Sequence, residues 1–117
     1  MSIGSKEKNR RGHREFAARC RSFGFTAVRC VRGISDCRGL PGLSVEIHRA
    51  KRLRLDSAMA AAKAAAAEGQ IPVVAYRSDR RPWRVTLDLS DFFLLYRAYL
   101  QRPLPDPVPP AAEAYHD

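Results

Sequence analysis

Asp36, Glu46 and His48 are the residues whose types and spacing are best suited to chemistry. The two acids interrupt a strongly basic stretch, residues 1–54, and His48 follows Glu46 by two positions. If the acids face each other across a hairpin, their carboxylate oxygens form a site suited to Mg²⁺ or Mn²⁺. On a phosphodiester, such an ion polarises the phosphoryl group and lowers the pKa of a coordinated water. Acid pairs across hairpins are also commonly solvated or salt-bridged, so the pattern alone leaves both interpretations open.

The turn that would bring the acids together is Gly39-Leu40-Pro41-Gly42, because Pro-Gly is typical of a tight turn. We predict a strand at 34–38 before this turn and a strand at 43–48 after it. The alternation of apolar and polar residues in the second strand places Glu46 and His48 on one face. With a three-residue loop, Asp36 lies opposite Glu46, and a change of one residue in the loop would shift that pairing.

The rest of the chain predicts a mixed α/β domain over residues 10–102. The spacing of apolar residues predicts helices at 10–23, 53–68 and 90–101, and further strands at 26–31, 71–76 and 83–87. The order is then α-β-β-β-α-β-β-α, with a strand–helix–strand crossover between the third and fourth strands and helices flanking a mixed sheet. Residues 1–9 predict a flexible basic arm, and the proline-rich residues 103–117 predict an extended or disordered tail.

The positive charge is concentrated in one half of the chain. Residues 1–54 hold 14 Lys/Arg and 4 Asp/Glu, whereas residues 55–117 hold 7 and 8, and the chain carries a formal net charge of +9. A field of this sign attracts polyanions, of which nucleic acid is the commonest inside cells, although solubility alone would also explain it. The candidate phosphate-binding residues are Arg10, Arg11, Arg14, Arg38, Arg49, Lys51, Arg77, Arg80 and Arg81.

Membrane and secreted classes are not expected. No apolar run approaches the roughly 20 residues of a membrane span, and the polar start of the chain does not predict a secretory signal. The three cysteines match neither a disulfide framework nor a CxxC zinc pattern. The simplest expectation is a reduced, intracellular protein located in the cytoplasm.

Several short motifs occur in an order and spacing typical of one nuclease family. They are Gly12-His13-Arg14-Glu15, Gly24-Phe25, the run from Asp36 through Gly-Leu-Pro-Gly to Glu46-Ile47-His48, Arg52-Leu53-Arg54-Leu55, and Gly69-Gln70-Ile71-Pro72-Val73-Val74 followed by Arg77 and Trp83. Together they resemble the phage-type Holliday-junction resolvase branch of the PD-(D/E)XK nuclease superfamily. The resemblance covers nearly all of residues 10–101.

This resemblance implies a restriction-endonuclease-like fold and a Mg²⁺- or Mn²⁺-dependent endodeoxyribonuclease that cleaves branched DNA during recombination, replication or packaging of a phage genome. It implies that Asp36, Glu46 and the backbone carbonyl of Ile47 hold the metal, with Glu15 as a supporting acid. Position 48 corresponds to the family's lysine, which steadies the attacking water. Each chain would hold one site, so paired cuts would require a homodimer.

Two departures from the family pattern leave the activity open. Position 48 is histidine, and position 61, where relatives often carry glutamine, is alanine. Histidine can act as a general base or, when protonated, stabilise negative charge. The alternatives are therefore a working nuclease with altered pH dependence and a weakened or inactive DNA-binding protein of the same fold. A basic adaptor for protein or RNA is a third hypothesis.

Overall fold

The computed structural model describes residues 3–30 and 37–102, and the side chains of residues 11–29 and 38–102. The chain is a mixed α/β protein, as predicted. Its elements are α1 (Ile3–Ser22), β1 (Arg29–Cys30), β2 (Cys37–Arg38), β3 (Leu43–Arg49), α2 (Leu55–Ala65), β4 (Ile71–Arg77), β5 (Arg84–Thr86) and α3 (Leu89–Leu100).

The main sheet has three strands in the order β3-β4-β5. β3 and β4 run parallel over seven residue pairs, from Leu43 opposite Ile71 to Arg49 opposite Arg77. α2 connects them, which confirms the predicted strand–helix–strand crossover. β5 returns antiparallel to β4, with Ala75 opposite Val85.

The predicted hairpin at 34–48 is seen only in part. The chain does reverse at 39–42, where the Leu43 amide donates to the Leu40 carbonyl at 3.1 Å. However, β2 forms its two-residue ladder with β1, and over residues 37–49 there is no hydrogen-bonded ladder between β2 and β3. Residues 34–36, and with them the pairing of Asp36 with Glu46, lie outside the described residues.

Each face of the main sheet has its own apolar core. Val45, Ile47, Val73 and Ala75 pack with Phe16 of α1 and its neighbours. On the other face, Val74 packs with Ala58, Met59 and Ala62 of α2. The odd-numbered residues of β3 therefore face α1, and its even-numbered residues face α2.

Element boundaries differ from the prediction mainly at the ends. α1 begins at Ile3 rather than residue 10, so residues 3–9, predicted as a flexible arm, are helical. Lys6, Glu7 and Lys8 in this stretch are good helix formers and extend the helix beyond its apolar face. The predicted tail, 103–117, lies outside the described residues.

α3 contrasts with α1 and α2 because none of its residues is buried. Asp88, the residue just before α3, forms an ion pair with Lys63 of α2, with 2.8 Å between Lys63 Nζ and Asp88 Oδ2. Although α3 is strongly apolar, no helix in the described part of the chain is both long and apolar enough to span a lipid bilayer.

Candidate functional site

Glu46 and His48 lie side by side on the α2 face of β3. Their register partners on β4 are Val74 and Tyr76, which belong to the α2-facing core. The Glu46 side chain is only 12% exposed and the His48 side chain 31%. The distance between His48 Nε2 and Glu46 Oε1 is 3.5 Å. Strand alternation has placed the acid and the imidazole on one face, as the sequence predicted, and in the structure that position is partly shielded.

The imidazole nitrogen nearest the carboxylate is unusually placed. His48 Nε2 is buried and makes no hydrogen bond among the described residues, despite lying near Glu46. Buried polar atoms are nearly always satisfied, and those that are not commonly mark functional positions or sites of a missing partner. A carboxylate oxygen and an imidazole nitrogen are both common ligands of divalent metals, so this pair is compatible with a metal centre.

The structure leaves the predicted metal ligands Asp36 and the Ile47 carbonyl untested. Asp36 lies outside the described residues, so its predicted role as a metal ligand stays a prediction. Across residues 3–30 and 37–102, no group of three or more His, Cys, Asp or Glu side chains is arranged to hold a metal ion. The Ile47 side chain is buried in the α1-facing core, and metal binding by its backbone carbonyl also stays a prediction.

Glu15 lies on the other face of the sheet, in a cluster with arginines. Arg49 Nε donates to Glu15 Oε1 at 2.6 Å, and Arg11 Nε donates to Glu15 Oε2 at 3.0 Å. Arg77 Nη1 approaches Glu15 Oε1 at 3.4 Å, and Arg49 Nη1 donates to Asp79 Oδ1 at 2.6 Å. We call these five residues the Glu15 cluster. Because Arg49 alternates with His48 along β3, this cluster and the Glu46–His48 pair lie on opposite faces.

The arginines of the Glu15 cluster favour the charged form of the Glu15 carboxylate. Burial raises the pKa of Glu15, but hydrogen bonds from Arg49 and Arg11 and the charges of Arg49 and Arg77 outweigh it, so the pKa lies below its ordinary value. The pKa of Arg49 is raised, chiefly by its hydrogen bond to Asp79 and then by Glu15, against the effect of burial. The cluster therefore joins α1, β3 and the end of β4 by ionic hydrogen bonds.

Gly12 of α1 allows the close approach of α1 and β3 that brings Glu15 to the arginines. An added Cβ at Gly12 would lie 2.9 Å from the Arg49 Cβ, so α1 crosses β3 too closely for a larger residue. Glu15, one turn further along α1, then reaches the Arg49 guanidinium. Sequence reasoning missed the cluster and assigned Arg49 and Arg77 to phosphate binding. One signal was available: Arg49 continues the odd-numbered, α1-facing positions of β3, where a charge requires a nearby counter-charge.

The other candidate phosphate-binding residues are better exposed. Arg11 and Arg14 on α1, Arg38 on β2 and Lys51 after β3 reach solvent, although Arg11 also pairs with Glu15. Arg80 and Arg81 are exposed in the turn between β4 and β5. The Arg81 carbonyl accepts a hydrogen bond from Arg77 Nε at 2.8 Å, which fixes this turn to β4. Arg10 lies in α1, and its side chain is outside the described part. Phosphate contacts by these residues stay predictions.

No family model matches the chain, and searches of curated proteins and of solved structures each found no match.

Proposed function

We propose that this protein is a metal-dependent DNA endonuclease that acts on branched DNA in the cytoplasm, in a recombination-type process. The observation that carries the proposal is the Glu46–His48 pair, a shielded carboxylate within 3.5 Å of an otherwise unbonded imidazole nitrogen. The pair lies on β3, the strand that follows the Gly-Leu-Pro-Gly turn, in a chain of net charge +9. The resolvase resemblance described above supplies the substrate class.

In this proposal, Glu46 and Asp36 hold Mg²⁺ or Mn²⁺, with the Ile47 carbonyl. When bound, the ion polarises the phosphodiester and makes water more acidic. His48 accepts the proton from the attacking water, because its nitrogen lies beside the carboxylate that binds the ion. Exposed arginines, such as Arg14, Arg38 and Arg80, hold the phosphates on either side by charge.

Glu15 receives a different role from the one that the resemblance implies. Its carboxylate accepts two short hydrogen bonds from arginines on the α1 face, so we assign it to positioning β3 rather than to holding the metal. Through Arg49, the residue after His48, it fixes the end of the strand that carries the candidate site.

A second candidate function is DNA binding without cleavage. Histidine stands where related nucleases carry lysine, and it lies against the neighbouring carboxylate. A protonated His48 paired with Glu46 would compete with a metal ion for that carboxylate. The protein would then recognise branched DNA by its basic surface alone.

The deciding experiment incubates purified protein with a synthetic four-way DNA junction and Mg²⁺ or Mn²⁺ across pH 6–9. We expect cleavage by the wild type and none by Glu46→Gln, whereas Glu68→Gln, an exposed charge-matched control, retains activity. Calcium binding measured by calorimetry is expected to be lost in Glu46→Gln only.

His48→Lys separates the two candidate functions. If the wild type binds junctions without cutting them and His48→Lys cuts, the protein is the non-cleaving kind. If neither protein cuts with either metal, the nuclease proposal is wrong. Binding that does not weaken steeply with added salt would contradict both functions, because phosphate contacts release counterions.

A further inference from the structure

α3 is an apolar helix that the described part of the chain, residues 3–30 and 37–102, leaves largely uncovered. Residues 92–100 are all exposed, and the aromatic and leucine side chains of the helix retain between 45% and 66% of their accessible surface. A contiguous apolar surface of this kind on a protein marks an interaction site.

The apolar residues of α3 follow the spacing of a helix-pairing seam. Leu89, Phe92, Tyr96 and Tyr99 are separated by three, four and three positions, the a/d spacing of helices that pack against another helix. The seam is ordered as well as apolar: the Phe92 and Tyr96 rings stack with centroids 6.2 Å apart, and the Tyr96 and Tyr99 rings with centroids 6.3 Å apart.

The opposite face of α3 has a different composition. Around Leu94, a helical period places Ser90, Asp91, Arg97 and Ala98. α3 carries one acidic and one basic residue, Asp91 and Arg97, so it is neutral within a chain of net charge +9. Two copies of this helix can therefore approach each other without the repulsion that other parts of the chain would cause.

The available area matches a second copy of the chain. An aromatic side chain carries about 200 Å² of surface, and half of that for each exposed aromatic and leucine of α3 other than Leu94, seven residues in all, gives at most roughly 700 Å² per protomer. A standard protein–protein interface buries about 800 Å² per partner. Nearly complete burial of this face against its own copy would therefore be enough for a stable dimer.

Other classes of partner fit less well. Helices that lie on membrane surfaces carry several Lys or Arg residues on their polar face, and α3 carries one. Nucleic acid binding needs the same positive charge. The a/d seam fits the surface of another helix, and a two-fold pair presents the same seam from both sides.

We infer that α3 is the self-association helix of this protein, and that two chains pair through Leu89, Phe92, Tyr96 and Tyr99 about a two-fold axis. This inference depends on the exposed seam alone and holds whether or not the protein cleaves DNA.

Sedimentation velocity and light scattering of the full chain test it, at about physiological salt and at concentrations from 1 to 100 μM. We expect the wild type to have twice the 13.1 kDa chain mass. Tyr96→Glu places a charge in the seam and is expected to be monomeric at every concentration. Leu94→Glu is the matched control, because Leu94 is equally exposed but lies on the opposite face, and it is expected to remain dimeric.

Circular dichroism checks that both variants keep their helices. A monomeric wild type would overturn the inference, as would a dimer that survives Tyr96→Glu. Dissociation of Leu94→Glu, alone or together with Tyr96→Glu, would also overturn it, because the effect would then not depend on the seam.

Discussion

Replacing Glu15 with glutamine tests whether the Glu15 cluster holds α1 against β3. Glutamine keeps an acceptor oxygen but loses the charge that binds the arginines. Arg49 has 9% of its side chain exposed, and its hydrogen bond to Glu15 is 2.6 Å long. Such a bond between charged groups contributes about 1.5–3 kcal/mol. Because Asp79 still pairs with Arg49 in the variant, we expect Glu15→Gln to lower the free energy of unfolding by about 2 kcal/mol at pH 7.

The pH dependence of this loss follows from the direction of the pKa shift. The pKa of Glu15 in the folded protein lies below its ordinary value of 4.5. Its stabilisation is therefore complete above that value and is lost as the pH falls through the lower, folded-state pKa. The difference between wild type and Glu15→Gln should be constant from pH 7 to 5 and shrink at lower pH.

Urea unfolding followed by the fluorescence of Trp83 measures the effect, because this single tryptophan packs against Phe16 of α1 with ring centroids 5.3 Å apart. Arg11→Gln is the control: it removes an exposed pair on the same helix and should cost at most about 0.5 kcal/mol. A loss below about 0.5 kcal/mol for Glu15→Gln, or one that does not diminish toward pH 3, would refute the assigned role.

Two further pairs of variants test the fold through urea unfolding. Gly39→Ala should destabilise the protein by more than about 2 kcal/mol, because the added Cβ would lie 2.4 Å from the Ala27 carbonyl oxygen. Gly24 also has a positive φ but has open space around it, so Gly24→Ala should cost only about 1 kcal/mol. Equal losses for the two variants would contradict the close contact at Gly39. Val74→Ala truncates a fully buried side chain and should lower the free energy of unfolding by about 2 kcal/mol. Val85→Ala, at a residue that is 58% exposed, should lower it by less than about 0.5 kcal/mol. Similar losses for the two variants would show that Val74 is not tightly packed.

The central strands could be predicted because their patterns are local. Residues 43–48 alternate apolar and polar side chains, and 71–76 form a continuous apolar run, so the two strands matched the structure to within one residue. The same alternation placed Glu46 and His48 on one face. The helix predicted between these two strands then indicated the strand–helix–strand crossover that the structure has.

The position of Arg49 on β3 signals that it needs a counter-charge, but which residues form the Glu15 cluster could not be predicted, because their contacts are distant in sequence. Glu15 and Arg49 are 34 positions apart, and Glu15 and Arg77 are 62 apart. Their meeting depends on where α1 crosses β3, which the close approach at Gly12 determines and no local pattern reveals. The pairing partner of β2 was not predicted for a related reason. β2 has only two paired residues, so its partner depends on tertiary packing rather than on propensity.

The sequence did not decide what the apolar face of α3 packs against, for a third reason. An apolar helical face looks the same in a sequence whether it covers its own sheet or another molecule. Only the exposure of Phe92, Tyr96 and Tyr99 in the folded chain distinguishes the two.

The two-sided burial of β3 has a consequence for how its chemistry can vary. Val45 and Ile47 fix the strand from one side, and Glu46 and His48 project from the other. Substitutions at 46 and 48 therefore leave the anchoring side chains untouched, so the strand can exchange an imidazole for an amine, or a carboxylate for an amide, while its backbone stays in place. If the proposed site is correct, a change in its reactivity would need substitutions only at alternate positions of a single strand.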